Sequence, residues 1–140
     1  MGNKVEETWL YEDGTYSRKY TYRYHPNGQL SEQLIYKYSD DGSLEEKRTS
    51  IYSEKGNIIE SLCFDAEDQI LEGQTRYKYD ENDNETEVAT YNTKGGLYSM
   101  TFYSYIFDSL GNWIRRTEES KTTVSGFETR TVSYRDLTYY

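Results

Sequence analysis

Five glutamates recur at one place in a repeating pattern: Glu32, Glu46, Glu60, Glu72 and Glu87. Two carboxylates held on one sheet are what a glycosidase uses as acid and as nucleophile or base. Catalysis needs two differentiated groups, however, and a repeat makes equivalent ones. The row therefore reads as a position near a sheet margin, on one face of successive strands, paired with Arg18, Arg48, Arg76 or tyrosine hydroxyls. Asp80-Glu81-Asn82-Asp83-Asn84-Glu85 resembles the start of a calcium loop. An EF-hand wants Gly at its sixth position and Glu at its twelfth, and these are Glu85 and Tyr91, so the segment reads as an acidic hairpin. His25 precedes Pro26 in a turn and has no second His with which to build a metal site or a triad. Cys63 is the single cysteine, which excludes an internal disulfide, and it reads as a buried structural thiol. Asn84-Glu85-Thr86 is a lone glycosylation sequon and decides nothing. No catalytic residue, metal ligand or cofactor motif is expected.

The aromatic side chains are the larger signal. There are 17 Tyr, 4 Phe and 2 Trp. Rows of rings on a sheet can stack sugars, or they can form the core or a dimer interface. The second use is favoured, because Leu, Ile, Val and Phe together make only 24 of the 140 residues, below the roughly 20% at which charged chains read as disordered. Each aromatic ring buries roughly 150–250 Å², so rings can supply the missing core. Trp9, Tyr22, Tyr36, Tyr38, Tyr105 and Trp113 are the expected contributors to an interaction surface.

Composition narrows the partners. The chain is 29% charged with a formal net charge of −9, which opposes a polyanion and argues against nucleic acid. No apolar run approaches the ~20 residues that a membrane-spanning helix needs, so no membrane insertion is expected. The first residues lack the apolar stretch of a secretory signal, and Glu6 stands where myristoylation wants Ser or Thr. Compartment stays open on these grounds.

What positions these residues is a repeat. Tyr24-His25-Pro26-Asn27-Gly28-Gln29-Leu30 returns as Tyr38 to Leu44 and as Tyr52 to Ile58. Phe64 to Ile70, Tyr79 to Glu85, Tyr91 to Leu97 and Phe107 to Trp113 repeat it, and Leu10 to Tyr16 opens the series loosely. The slot residues are Gly14, Gly28, Gly42, Gly56, Asp68, Asp83, Gly95 and Gly111, spaced 12 to 16 apart, with a further turn expected at Gly126. Asp, Asn or Ser follows the opening aromatic in most of the units, as position i of a type I turn prefers, and the slot then takes the left-handed position of a G1-bulge hairpin. Asp is among the few other residues that tolerate this conformation.

Between turns, polar and apolar residues alternate with period two, one strand per repeat. The expected fold is all-β: an antiparallel up-and-down meander of about ten strands across residues 1–140. It would form a one-sided curled sheet or open barrel with a tyrosine–leucine face and a wetter face. Tyr38 is expected opposite Leu44, and Tyr36 opposite Glu46. The interval from Asp68 to Asp83 is odd, so one residue must bulge out for Ile70 and Tyr79 to share a face, and Gly73 is the candidate. Outer strands are expected near Glu6–Tyr11 and Phe127–Tyr134.

Tyr77-Lys78-Tyr79-Asp80 and the unit from Phe107 through Gly111-Asn112-Trp113 to Arg115-Arg116 carry a family likeness. They resemble the Tyr-x-Tyr-Asp-x-x-Gly-Asn hallmark of YD-repeat (Rhs-type) proteins, in a short single-domain form. The 12–16 spacing departs from the longer family repeat. The resemblance implies an antiparallel sheet of bacterial origin, often secreted or surface-located, with no enzymatic activity and no catalytic residues to transfer. The expected function is a non-catalytic interaction or scaffold module acting as a homodimer or on a protein partner. A carbohydrate-binding module using exposed Tyr and Trp rows is the alternative, as is a small acidic immunity or antitoxin-type protein.

Overall fold

A computed structural model describes residues 3–123, 126 and 128–135. Ten strands follow one another: β1 (Glu6–Leu10), β2 (Tyr16–Tyr24), β3 (Leu30–Tyr38), β4 (Leu44–Tyr52), β5 (Ile58–Asp65), β6 (Ile70–Tyr79), β7 (Glu85–Tyr91), β8 (Leu97–Phe107), β9 (Trp113–Thr122) and β10 (Glu128–Tyr134). All lie in one sheet in sequence order, and every pairing is antiparallel. Each strand pairs only with its chain neighbours, so β1 and β10 do not meet and the sheet stays open. No helix among the described residues is long and apolar enough to cross a membrane. Phe127, expected in the last strand, lies outside the described residues.

The turns follow from local chemistry. Positive φ occurs at Gly14, Gly28, Gly42, Gly56, Gly95, Gly111 and Gly126, and at Asp68 (60°) and Asp83 (63°). At each slot from residue 14 to 111 the backbone N–H donates to the carbonyl three residues earlier, as Gly28 does to His25 at 2.9 Å. An Asp, Asn or Ser side chain caps many of these loops. Asp80 Oδ1, for example, accepts from the N–H groups of Asn82 and Asn84, each at 2.9 Å.

A second irregularity follows each of the first eight turns. Tyr38 faces Leu44, but Lys37 faces Glu46, so Glu45 is an extra residue just inside β4. The same slip recurs at Tyr24/Leu30, Tyr52/Ile58 and on through Phe107/Trp113. It corrects the expected register: Tyr36 lies opposite Lys47, not Glu46. Residues directly opposite share a face, so each slip exchanges odd for even positions on the next strand. Tyr20 and Tyr22 consequently face Ile35 and Gln33, while Leu34 and Tyr36 point the other way. The rings are thus divided between two faces, called here the front (Tyr20, Tyr22) and the back (Tyr36). The glutamate row is divided too, with Glu46 and Glu72 in front and Glu32, Glu60 and Glu87 behind. Period-two counting across a turn cannot see a bulge, because the extra residue keeps the turn spacing unchanged.

Inside β6 the sheet carries one more bulge. Ser61 faces Thr75 and Cys63 faces Glu72, so Gly73 and Gln74 together oppose Leu62 alone, and one of the two is the extra residue. Repeated bulges of this kind bend a strand and strengthen its twist.

With one layer, little is fully enclosed. Only Cys63, Ala89 and Thr117 are buried among the described residues. Turns two apart emerge at the same end of the sheet, and polar bonds tie them. His25 Nε2–H donates to the Tyr52 carbonyl at 2.9 Å, and Asn27 Nδ2 donates to the Glu54 carbonyl at 2.8 Å. Lys55 Nζ then reaches the Glu81 carbonyl at 3.0 Å and Asn57 Nδ2 the Asp83 carboxylate at 2.8 Å. The Tyr79 hydroxyl donates to the Ile58 carbonyl at 2.8 Å.

Candidate interaction surfaces

The six aromatic residues read from the sequence fall in three places. Trp9, on the outer strand β1, shares the front face with Tyr20 and Tyr22. It is 53% exposed. Its ring lies 6.0 Å from Tyr20, tilted by 55°, and Tyr20 stacks on Tyr22 at 6.5 Å and 6°. The Tyr22 hydroxyl donates to Glu7 at 3.3 Å, and partial burial raises its pKa. Three rings therefore run in a line from the β1 edge inward.

Tyr36 and Tyr38 lie on the back face. Tyr38 meets the ring of Tyr16 at 5.9 Å, and its carbonyl accepts from the Tyr11 hydroxyl. Tyr105 lies on the front face of β8, 5.9 Å from Phe107, which pairs across the turn with Trp113 at the start of β9. The Tyr105 hydroxyl is committed to the Glu85 carbonyl at 2.9 Å, and the Arg135 guanidinium covers the Trp113 ring at 3.8 Å. These six do not form one surface.

A cluster around Arg116 gathers the perturbed acids. Its guanidinium lies over the Tyr103 ring at 5.3 Å and 3.6 Å from Glu118. Burial pushes Glu85, Tyr103 and Tyr105 above their ordinary values, and Glu118 adds to the shift at Glu85 and Tyr103. A carboxyl biased toward its protonated form beside a second carboxylate is an acid–base motif in principle, and here it lies within electrostatic reach of Arg116, which lowers the Glu85 pKa against the effect of burial. Elsewhere the glutamates are held in ion pairs: Glu32 with Arg23 at 2.7 Å, Glu60 with Arg76 at 3.3 Å and Glu87 with Lys78 at 2.9 Å. Glu46 pairs with Arg48, which also reaches Glu72 at 3.7 Å. Arg48 and Arg76 thus take the pairing role expected of them.

The remaining chemical candidates have local partners. The Asp80 carboxylate is occupied by the N–H groups of its own turn and by the Asn84 amide. His25 bonds a carbonyl. Cys63 is 4% exposed, and burial, reinforced by the charge of Glu46, raises its thiol pKa. A thiol held protonated is a poor nucleophile.

One surface was not singled out from the residues. On the back of β8, Tyr98, Phe102 and Ile106 are 47%, 46% and 51% exposed. Their even-numbered spacing within Leu97–Phe107 was the available signal. Beside Phe102 a shallow hollow of about 390 Å³ runs to the last strand, lined also by Glu119, Lys121, Glu128 and Arg130.

No family model matches the chain, and no curated protein matches it. Among solved structures it is similar to a protein of unknown function from Bacteroides fragilis, at 16% identity and a TM-score of 0.32, over 94% of this chain and 91% of that one. It is also similar to a chain of the TcdB2–TccC3–Cdc42 complex, at 14% identity and a TM-score of 0.27, over 89% of this chain and 9% of that chain. Neither likeness assigns a family.

Proposed function

We propose that the chain is a non-catalytic interaction module of the YD-repeat kind, belonging to a bacterial secreted or surface protein. The family part of this reading rests on the Tyr77–Asp80 and Phe107–Arg116 units. The interaction part rests on one observation: a single-layer sheet leaves Tyr98, Phe102 and Ile106, on one face of β8, about half exposed. Monomers rarely leave more than a few hundred Å² of contiguous apolar surface bare, and a protein partner, a second copy first among them, is what such surfaces bury. The recurring glutamates Glu32, Glu46, Glu60, Glu72 and Glu87 are held in ion pairs, and Cys63 is buried.

The Trp9–Tyr20–Tyr22 row supports a second reading, a carbohydrate platform. Sedimentation at micromolar concentration and a titration with soluble polysaccharides, followed by tryptophan emission, separate the two. The interaction reading expects a species heavier than 16.6 kDa and no response to glycans. Saturable quenching that Trp9→Ala abolishes would replace it with the second.

A further inference from the structure

We infer that two copies of this chain join edge to edge through β10, about a two-fold axis passing at Thr131. The inference rests on the interaction reading and names its partner and surface.

The register of β10 decides which of its backbone groups face the open edge. Arg135 N–H donates to the Ile114 carbonyl at 3.0 Å, continuing the register in which Tyr134 faces Arg115. Hydrogen-bonded and non-bonded pairs alternate along an antiparallel ladder. Thr129, Thr131 and Ser133 therefore turn their N–H and C=O groups toward β9, and Glu128, Arg130, Val132 and Tyr134 turn theirs to the open edge. Among the described residues, β9 is the only strand that pairs with β10.

Length and regularity then separate the two open edges. β1 has five residues, and its pairing slips between Trp9 and Leu10. β10 has seven residues in unbroken register. Charge blocks neither edge, because Glu6 and Glu7 are held by Lys19 and Lys4, and Glu128 and Arg130 by Lys121 and Glu119. A two-fold copy of β10 supplies an equally long, regular edge to pair with it.

Shape fixes the register. An axis at Thr131 pairs the whole strand, giving about eight backbone hydrogen bonds. It sets Arg130 opposite the partner's Val132 and Glu128 opposite the partner's Tyr134. Tyr134 is 74% exposed. Glu128 borders the hollow beside Phe102, and all three residues lie on the back face. Tyr134, the most exposed ring among the described residues, is thereby delivered from one copy to the hollow of the other.

The experiment uses the full chain. Sedimentation equilibrium is expected to give twice 16.6 kDa. Val132→Pro removes an outward N–H and leaves the bonds to β9, so it should give a folded monomer by circular dichroism. Tyr134→Ala should weaken the dimer at least tenfold. Thr131→Cys should form a symmetric disulfide on mild oxidation, because non-bonded antiparallel pairs place Cα atoms at a separation a disulfide spans. A dimer that survives Val132→Pro without the Thr131→Cys cross-link overturns the edge and leaves the interaction reading standing. A monomeric wild type that binds glycans overturns both.

Discussion

Gly73 lies against the backbone of Tyr91 so closely that a Cβ added there would fall 1.3 Å from the Tyr91 carbonyl oxygen. The bulge in β6 is thus a place where two backbones meet with no room for a side chain. Gly73→Ala must displace one of them, at a cost of about 1–3 kcal/mol or more. Gly42 gives the comparison: its φ is +82° with nothing within 4 Å of the added carbon. Gly42→Ala should lose only the left-handed penalty of about 1–2 kcal/mol, and Gly42→Val should lose more. Paired denaturant melts should rank Gly73→Ala below Gly42→Ala, and the reverse order would mean that β6 can yield.

The two aspartate slots should respond differently to glycine. Asp68 holds Lys47 at 2.6 Å, with the carboxylate 74% exposed, and such pairs contribute about 0–1 kcal/mol. Relief of the left-handed strain offsets that loss, so Asp68→Gly should be neutral or mildly stabilising. Asp83 holds both Lys55 at 3.1 Å and Asn57 at 2.8 Å, bonds that tie two turns together. Asp83→Gly should therefore melt below Asp68→Gly.

Acid should release the turn at Asp41. Its carboxylate accepts from the Ser39 hydroxyl and from the Ser43 hydroxyl and N–H, which hold its pKa down at about 2 against an ordinary 3.8. A folded pKa below the unfolded one gives stability that is present above about pH 4 and lost as pH falls toward 2. Asp41→Asn should destabilise at neutral pH, and its difference from wild type should close over that window. Carboxyl chemical shifts would report the midpoint directly.

Tyr79→Phe should cost about 1 kcal/mol. The substitution leaves the Ile58 carbonyl, which now accepts from the Tyr79 hydroxyl at 2.8 Å, without its donor in a half-buried place. Tyr16→Phe, at a position 54% exposed, should stay within about 0.5 kcal/mol of wild type. Thermal melts of the two variants test the contrast.

The legible part of this fold was local. Pro26-Asn27-Gly28 and its relatives dictate turns through backbone conformation alone, and the meander follows once each turn joins neighbours. The odd interval between Asp68 and Asp83 likewise pointed to an extra residue, and Gly73 sits at it. The face of each ring was not legible. Glu45 and its equivalents slip out of register just inside each strand, and nothing in their side chains marks them, because the slip relieves twist that only the assembled sheet develops. Tyr22 and Tyr36 therefore looked like members of one face and lie on two. The exposed row Tyr98, Phe102 and Ile106 was hidden for the same reason, since an aromatic alternation reads as core until a missing second layer leaves it bare.

A sheet whose strands hydrogen-bond only to their immediate neighbours has, to a first approximation, the statistical mechanics of a one-dimensional array. Order should fray from β1 and β10 inward, with amide protection rising toward β4–β7, where the ties between same-end turns and the β6 bulge lock several strands together. Anything that clamps an outer strand then stiffens the molecule along its length, so that binding at the rim is felt as slower exchange at the centre.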